Sequence, residues 1–360
     1  MRTIQTTRRA FVGGAAALAF APAARAQSAP LPITIGMPNP TVQTLGAYYS
    51  SVPATLYWKD EGIAAKLINL NGINAAAEAL NAGLIDVTLG ASEGLYGVVQ
   101  ANPKSAVGIY ALINRFQTVL ATLKDSPIKT VLDLQGKIVG VQSLANSQLP
   151  ITKALVRQAG GDPASVKFLP VGDIAEAALA ISRKQVDAIV MADGQIAQIN
   201  EQGIPLSHIV SPTIDLAKIG FAGAVFTRPD YLAKNRETLV RMLRGIAKAT
   251  VFAKENPEAA VRLHWQFYPA TKPRGAASDA DAMRQSIVTL KARLENVEPS
   301  EGLYGYATRE QIESFTSLLV IGGLLKRPMA DSEFWTADLI KDVNDFDKEA
   351  IRRQAQNAKT

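Results

Sequence analysis

The sequence predicts a two-lobed α/β protein, in which each lobe is a mostly parallel sheet flanked by helices and two crossing strands join the lobes. Two observations lead to this fold class. Short apolar strands and helices alternate twice along the 360 residues, as they do in chains that build parallel sheets. A short pattern also recurs: residues 79–87 and 180–188 each combine a helix end, a turn and an aspartate that leads into a buried strand.

The first 26 residues have the features of an export signal. Arg8 and Arg9 precede the run 13–20, which is much shorter than the roughly 20 apolar residues that a membrane-spanning helix needs. The run leads to Ala24-Arg25-Ala26, with small residues at the two positions that a signal peptidase recognises, so we predict cleavage after Ala26. The arginine pair resembles a twin-arginine translocation (Tat) signal and predicts the Tat export machinery as a partner. An ordinary Sec signal and an uncleaved anchor are the alternatives.

Most of the positive charge of the chain lies in that segment. It holds four arginines and no acidic residue, so its removal lowers the formal net charge from +6 to +2. The mature chain then lacks the clustered basic residues of a nucleic-acid-binding protein, and no nucleic-acid partner is expected. The chain has no cysteine, which excludes a lipid-anchoring cysteine, disulfides and thiolate zinc sites. These features predict a free periplasmic protein, which we expect to be a monomer.

The first repeat follows a short linker at 27–32. Its predicted elements are a strand at 33–37, a helix at 53–60, a strand at 65–70, a helix at 75–81 and a strand at 84–90. Pro38 and Pro40 end the first strand, because proline removes the backbone N–H that a ladder needs. Gly62 and Gly83 end the helices, because glycine adopts the left-handed conformation that terminates them.

The second repeat has the same order of elements. They are a strand at 137–141, a helix at 147–158, a strand at 166–170, a helix at 174–182 and a strand at 186–190. We interpret the apolar stretches 107–123 and 220–227 as the two crossing strands. Helices predicted at 236–255, 258–267, 279–294, 309–319 and 334–345 would return to the first lobe and cover it. The predicted domains are the first lobe at 33–118 and 223–360, and the second lobe at 119–222.

A family resemblance rests mainly on residues 125–141, DSPIKTVLDLQGKIVGV. They resemble a segment of the substrate-binding proteins of ABC importers, in the branch of nitrate, sulfonate, taurine and thiamine-pyrimidine-precursor receptors. Residues 79–87, 186–190 and 312–326 are also similar to that family, and the likeness spans most of the mature chain. It implies the type 2 periplasmic binding protein fold, one ligand held in a cleft by hinge closure, and a membrane ABC permease with its ATPase as partners. These motifs belong to the scaffold and leave the ligand open.

Ligands of open α/β sheets bind beyond the carboxyl ends of the strands, so the polar residues there are the candidate ligand-binding residues. They are Asn39, Thr41 and Tyr48 after the first strand; Asn71, Gly72 and Asn74 after the second; Ser92 and Glu93 after the third; Asn114 and Arg115 in the first crossing stretch; and Asn146, Ser147, Gln148 and Asp193 in the second lobe. Each has a structural alternative: the asparagines suit turns and helix caps, Tyr48 suits the core, and Glu93 could pair with Arg115.

The acids among these candidates bear on the ligand. Glu93 and Asp193 come from different lobes, and a small hard anion would instead be bound by Lys, Arg or bare backbone N–H groups. The loop at 143–148 also lacks the glycines that let backbone approach an oxyanion closely. We therefore expect a polar organic ligand with donor groups, zwitterionic or aromatic, and not the simplest anions of the family.

An enzyme is not expected, and neither is a cofactor or a metal site. The only histidines are His208 and His264, far apart in sequence and assigned to packing, so no metal cluster is predicted. Neither a nucleophile elbow nor a phosphate-binding loop is present. A periplasmic sensor that binds ligand without transport remains an alternative, as does a pyrimidine-precursor-type enzyme on the same fold.

Overall fold

The computed structural model describes residues 29–144, 146–273 and 275–358, which fold around two five-stranded sheets. The predicted export signal and its cleavage site lie outside these residues. The strands are β1 Leu31–Met37, β2 Ile63–Asn69, β3 Val87–Ala91, β4 Val107–Ile113, β5 Thr118–Leu123, β6 Ile138–Val141, β7 Lys167–Pro170, β8 Ala188–Ala192, β9 Leu206–His208 and β10 Gly223–Thr227.

Both sheets have the same topology. The first has the order β2-β1-β3-β10-β4 and the second the order β7-β6-β8-β5-β9. In each sheet the fourth strand in this order is antiparallel to its neighbours and the other pairs are parallel. The carboxyl ends of four strands therefore meet at one edge of each sheet, and the predicted fold class is confirmed.

The structure corrects the prediction of two crossing strands. The stretch 107–123 is two strands in different sheets, because β4 pairs with β10 of the first sheet and β5 with β8 of the second. The polar residues Asn114, Arg115 and Gln117 interrupt the apolar run, and the chain passes between the sheets there. The stretch 220–227 ends as β10, inside the first sheet. The second passage between the sheets is therefore the non-strand segment 209–222.

Within the described residues most of the predicted helices are present with similar bounds. The α-helices of this part of the chain are α1 Ser51–Leu56, α2 Ile73–Asn81, α3 Ser92–Ala101, α4 Gln148–Gln158, α5 Ile174–Ser182, α6 Asp193–Glu201, α7 Pro229–Lys234, α8 Arg236–Glu255, α9 Pro257–Phe267, α10 Asp279–Glu295, α11 Arg309–Ile321, α12 Ile340–Val343 and α13 Lys348–Gln356. None of them is long and apolar enough to span a membrane. Helices α3, α6, α7 and α13 were not predicted, and the prediction near the end of the chain is wrong.

The helix predicted at 334–345 is wrong over its first half. Gly108 of β4 donates its N–H to the carbonyl of Phe334 (2.6 Å) and accepts from the N–H of Thr336 (3.0 Å). Phe334 and Trp335 are also buried against the aromatic ring of Phe221. These backbone bonds continue the edge of the first sheet, so the segment is held extended where its composition favours a helix.

The repeated sequence pattern is a repeated hydrogen-bond arrangement. The Asp86 carboxylate accepts from the backbone N–H of Thr34 (2.7 Å), and the hydroxyl of Thr227 donates to the Asp86 carbonyl (2.7 Å). In the second sheet the Asp187 carboxylate accepts from the N–H of Ile138 (2.8 Å), and its carbonyl accepts from the hydroxyl of Thr122 (2.7 Å). In each sheet, the aspartate thus holds the amino-terminal end of the central strand to its neighbours through hydrogen bonds.

The carboxyl-terminal helices do more than cover the first lobe. Helix α10 packs on α6 of the second sheet as well as on the 3₁₀ turn Thr44–Tyr49 of the first, and α11 packs on α4. Gly194 makes the first of these contacts possible: a Cβ there would lie 3.0 Å from the backbone carbonyl oxygen of Thr289. The helices α10 and α11 therefore bridge the two lobes.

The repeat generates a prediction about backbone strain. The turn before Asp86 uses Gly83 at φ 71°, whereas the matching turn before Asp187 uses Lys184 at φ 55°. Lys184→Gly should raise the free energy of unfolding by about 0.5–1 kcal/mol, because glycine has no Cβ to clash in the left-handed region. Gly83→Ala should lower it by a similar amount.

Urea denaturation would measure both changes, with Gly97→Ala as control. Gly97 has an ordinary helical conformation, and a Cβ there would meet nothing within 4 Å, so this alanine should stabilise the protein. A loss of stability in Lys184→Gly would contradict the strain argument.

Candidate functional site

A cavity of about 280 Å³ lies at the carboxyl edge of the first sheet. Its wall is mostly apolar, with one aromatic ring from Tyr49 and three polar side chains, Asn39, Gln117 and Arg293. The apolar residues that line it are Pro38, Leu45, Ile73, Leu89, Ala91, Leu112 and Ile113, with Gly90. We call it the cleft cavity. A mainly apolar wall with a few polar groups is typical of small-molecule sites.

The loop after β1 is held against the cavity by His264. The backbone carbonyl of Val42 can only accept, so Nε2 of His264 carries the proton and donates to it (3.1 Å). Nδ1 then accepts from the hydroxyl of Ser51 (2.9 Å). Burial lowers the pKa of His264 to about 4, against the opposing effect of the Val42 bond, so the ring is neutral at physiological pH. His264 therefore has a structural role, as its sequence context indicated.

The cleft cavity is bounded on the side of the second lobe by a buried ion pair. Nε of Arg293 donates to both carboxylate oxygens of Asp193 (3.1 and 2.8 Å), and Nη2 donates to Oδ1 (2.7 Å). Asn296 adds a bond to Oδ2 (2.9 Å). The two charged side chains are only 4% and 5% exposed. Nη1 of Arg293 has no hydrogen-bond partner among the described residues.

Asp193 begins α6, directly after β8 of the second sheet, whereas Arg293 lies near the end of α10, the helix that packs on both sheets' elements. Burial alone would lower the pKa of Arg293, but the Asp193 carboxylate outweighs it and the net shift is upward. Arg293 therefore stays charged. Asp193, predicted as a ligand-facing acid, has its charge neutralised by the chain itself.

A second cavity, of about 570 Å³, lies on the other side of this ion pair. We call it the hinge cavity, because Phe116 and Val210 from the two passages between the sheets line it, together with Asp193 and residues of α6 and α10. The side chain of Phe116 is buried there against Phe315. The larger of the two cavities is therefore at the hinge and not at the carboxyl edge of the first sheet.

The first turns of α3 and α4 meet across the lobes. The hydroxyl of Ser147 donates to Oε1 of Glu93 (3.0 Å), so Glu93 pairs with Ser147 and not with Arg115. Burial raises the pKa of Glu93, against the lowering effect of its hydrogen bonds. Next to this contact, Oγ of Ser92 and Oε1 of Gln148 are buried with no hydrogen-bond partner among the described residues.

Three other candidate residues serve the structure. Tyr48 is fully buried and donates its hydroxyl to the carbonyl of Leu112 (3.0 Å), and burial raises its pKa. Asn114 bonds to the backbone of Glu298 and to the hydroxyl of Ser300 (3.0 Å). Arg115 donates to the carbonyl of Glu295 (3.3 Å) at the surface. These contacts fix the first passage between the sheets to the end of α10.

The remaining candidates lie around the mouth of the cleft. Asn39, Asn71 and Asn74 are exposed, and Thr41 is half-buried. Gly72 precedes α2 at φ 94°. Asn146 accepts from the backbone N–H of Gln148 (3.0 Å) at the start of α4, as a helix cap does. Of the fourteen candidates, only Asn39 lines the cleft cavity itself.

Sequence reasoning missed the cavity residues Ile73, Gln117 and Arg293. The signal for Arg293 was present, because it occupies a position in the apolar stripe of α10 between Leu290 and Leu294. A charged residue on the buried face of a helix requires a buried partner of opposite charge. Ile73 is apolar and so was not selected as a candidate, although it stands between Asn71 and Asn74, which were selected because they are polar.

Comparisons with known proteins agree with this architecture. A family model described as NMT1/THI5 like matches residues 54–260. A Brucella abortus protein named as a binding protein is 23% identical over 336 residues, which cover 92% of this chain and 98% of that protein. The riboflavin-binding protein RibY of Chloroflexus aurantiacus is 22% identical over 331 residues, 91% of each chain.

Among solved structures, the periplasmic aliphatic sulphonate binding protein SsuA of Escherichia coli is similar, with a TM-score of 0.62 at 18% identity. The match covers 86% of this chain and 93% of that chain. At this identity the likeness establishes the fold, which is that of the periplasmic binding proteins.

The buried ion pair generates a stability prediction. Asp193→Ala should lower the free energy of unfolding by about 3–5 kcal/mol, because Arg293 is left charged and buried without a partner. The double variant Asp193→Leu/Arg293→Met should recover most of that loss. Chemical denaturation of the wild type, the single variant and the double variant measures it, and a double variant as unstable as Asp193→Ala would contradict the proposed cause.

His264 generates a prediction about pH. Its folded pKa of about 4 lies below the unfolded value of about 6.5, so its contribution is complete above pH 6.5 and is lost as the pH falls toward 4. The loss amounts to about 3 kcal/mol. In His264→Gln the free energy of unfolding should fall less steeply over this range than in the wild type. An unchanged slope in His264→Gln would contradict the assignment.

Proposed function

Because the chain belongs to the NMT1/THI5-like family, we propose that it is a receptor that binds a small organic molecule between its two lobes. The observation that carries the proposal is the cleft cavity. It opens at the carboxyl edge of the first sheet, and its far wall is Arg293, held in place by Asp193 of the second lobe. Ligands of open α/β sheets bind at this edge.

The wall of the cavity supports a ligand with an apolar body and one acceptor group. Tyr49, Ile73 and Leu89 offer apolar and aromatic surface. Nη1 of Arg293 has two N–H donors that no described residue uses, and hydrogen bonds from a charged donor are stronger than those between neutral groups. The sequence predicted two acids at the ligand site. Asp193 is neutralised by Arg293, so Glu93 is the one of these two acids that remains unpaired with a cation in the described part of the chain. Ligands named for relatives, riboflavin and aliphatic sulphonates, differ in size and share such acceptor groups.

Binding would act through the relative position of the lobes. We propose that residues 33–118 with 223–360, and residues 119–222, move as two units about the passages at 114–117 and 209–222. A ligand that contacts both units stabilises the closed arrangement, because neither unit alone satisfies its polar groups. The close packing of α6 on α10 supports a pivot beside the Asp193–Arg293 pair.

The cellular role follows from the family and the amino-terminal segment. We propose that the chain is exported by the twin-arginine route, is cleaved after Ala26, and delivers its ligand in the periplasm to an ABC permease and its ATPase. A periplasmic sensor with the same cleft is the second candidate. Genes for a permease and an ATPase beside the gene of this chain would favour transport.

An enzymatic role is disfavoured by the chemistry of the cleft cavity. Neither histidine lines it: His264 is bonded through both nitrogens, and His208 lines the hinge cavity. The curated relatives that match along most of the chain are named as binding proteins. Recovery of a bound molecule unchanged after incubation would support a receptor, and its conversion would support an enzyme.

Two matched substitutions test which cavity holds the ligand. Ala91 lines the cleft cavity and Ala197 the hinge cavity. Ala91→Phe should lower ligand affinity by at least 100-fold because its ring fills the site, whereas Ala197→Phe should change it less than 3-fold. Molecules that copurify with the full-length protein, identified by mass spectrometry, would be titrated back by calorimetry. Loss of binding in Ala197→Phe alone would move the site to the hinge.

A further inference from the structure

The first turn of α3 has the geometry at which helices bind anions. We infer that Ile73 and Glu93 exclude an anionic group from this turn. The inference rests on the proposed ligand site and deepens it by fixing the charge of the ligand end that reaches α3. Helix α3 starts at the carboxyl end of β3, and Gly90 and Gly94 flank its start. Helix amino termini bind anions through backbone N–H groups, and glycines let an anion approach them closely.

Ile73 occupies the space that these glycines leave. A Cβ on Gly94 would lie 2.6 Å from Cγ2 and 2.7 Å from Cγ1 of Ile73, and a Cβ on Gly90 would lie 3.4 Å from its Cδ1. Ile73 also lines the cleft cavity. The space beside the first turn of α3 is therefore filled by a branched apolar side chain. An anion there would lose its hydration and gain no hydrogen bond from this side chain.

Glu93 supplies a negative charge at the same turn. It is the acidic residue in the first turn of α3, where a carboxylate interacts favourably with the unpaired N–H groups of the helix. Its own backbone N–H and the hydroxyl of Ser147 hydrogen-bond to the carboxyl group. The chain thus places its own carboxylate where a ligand oxyanion would bind, and a second negative charge there is repelled.

A second observation indicates that this turn faces a ligand. Oγ of Ser92 is fully buried, and Oε1 of Gln148, across the lobes, belongs to a side chain 7% exposed; neither has a partner among the described residues. Buried polar atoms are almost always hydrogen-bonded. Oε1 of Gln148 can only accept, so it is suited to a donor group of the ligand, and the hydroxyl of Ser92 can either accept from such a group or donate. The ligand end at α3 is therefore neutral or cationic, and its acceptor group belongs at Arg293.

The experiment is a gain of anion binding in the full-length protein. Ethanesulfonate and the neutral ethyl methyl sulfone would be titrated by calorimetry at pH 8 and low ionic strength. Glu93→Gln, which keeps the shape of the side chain, should bind ethanesulfonate at least 10-fold more tightly than the wild type, and Ile73→Ala/Glu93→Gln more tightly still. The sulfone should bind the wild type and Glu93→Gln within 3-fold, because only the charge interaction differs between them. Glu313→Gln, an exposed acid on α11, is the matched charge control.

The outcomes separate this inference from the receptor function. Equal ethanesulfonate affinity in the wild type, Glu93→Gln and Glu313→Gln would overturn the exclusion, while a loss of copurified ligand in Ala91→Phe would leave the receptor standing. A similar gain in Glu313→Gln would also overturn it, because the effect would then come from net charge. Glu93→Ala, a smaller side chain, provides the same comparison if Glu93→Gln fails to fold, with the circular dichroism spectrum and melting temperature as the criteria.

Discussion

The buried ion pair between Asp193 and Arg293 is the constraint on which the arrangement of the two lobes depends. Each charge would be strongly destabilising in the interior alone, so the helices that carry them, α6 and α10, must stay together. Gly194 allows this approach because it has no side chain to separate the helices. The pair also separates two cavities, with Arg293 facing the cleft and Asp193 facing the hinge. One interaction therefore holds α6 and α10 together and places a charged side chain at the wall of each cavity.

The rest of the scaffold fixes the opposite end of each sheet. Asp86 and Asp187 make the same backbone and threonine hydrogen bonds at the amino-terminal edges. With those edges fixed, the carboxyl edges differ between the lobes and carry the binding chemistry. The first lobe contributes an apolar wall, and the second lobe contributes the polar first turns of its helices. The two lobes meet at Glu93 and Ser147. In the proposed receptor, a ligand held between them would contact apolar surface on one side and polar groups on the other.

The regular elements were predictable because each was decided by its own residues. Helices α5 and α8 have the predicted bounds, since apolar positions at helical spacing and a local end signal suffice to define them. The prediction failed where a distant strand competed. Residues 334–336 extend along β4 because Gly108 accepts and donates backbone bonds there, and nothing in the local pattern records that neighbour. The apolar run 107–123 was likewise divided between two sheets by partners far along the chain.

For the site, the sequence by itself determined which loops meet, because strand polarity places the ends of parallel strands at one edge. It also indicated the export segment, the family and the repeated aspartate turn. Only the tertiary structure decided which side chains face the cavity. Asp193 is neutralised by a residue 100 positions away, Tyr48 is turned into the core, and Ile73 lines the cavity between two exposed asparagines. Side-chain direction and charge pairing depend on packing between distant segments, which residue type and spacing do not encode.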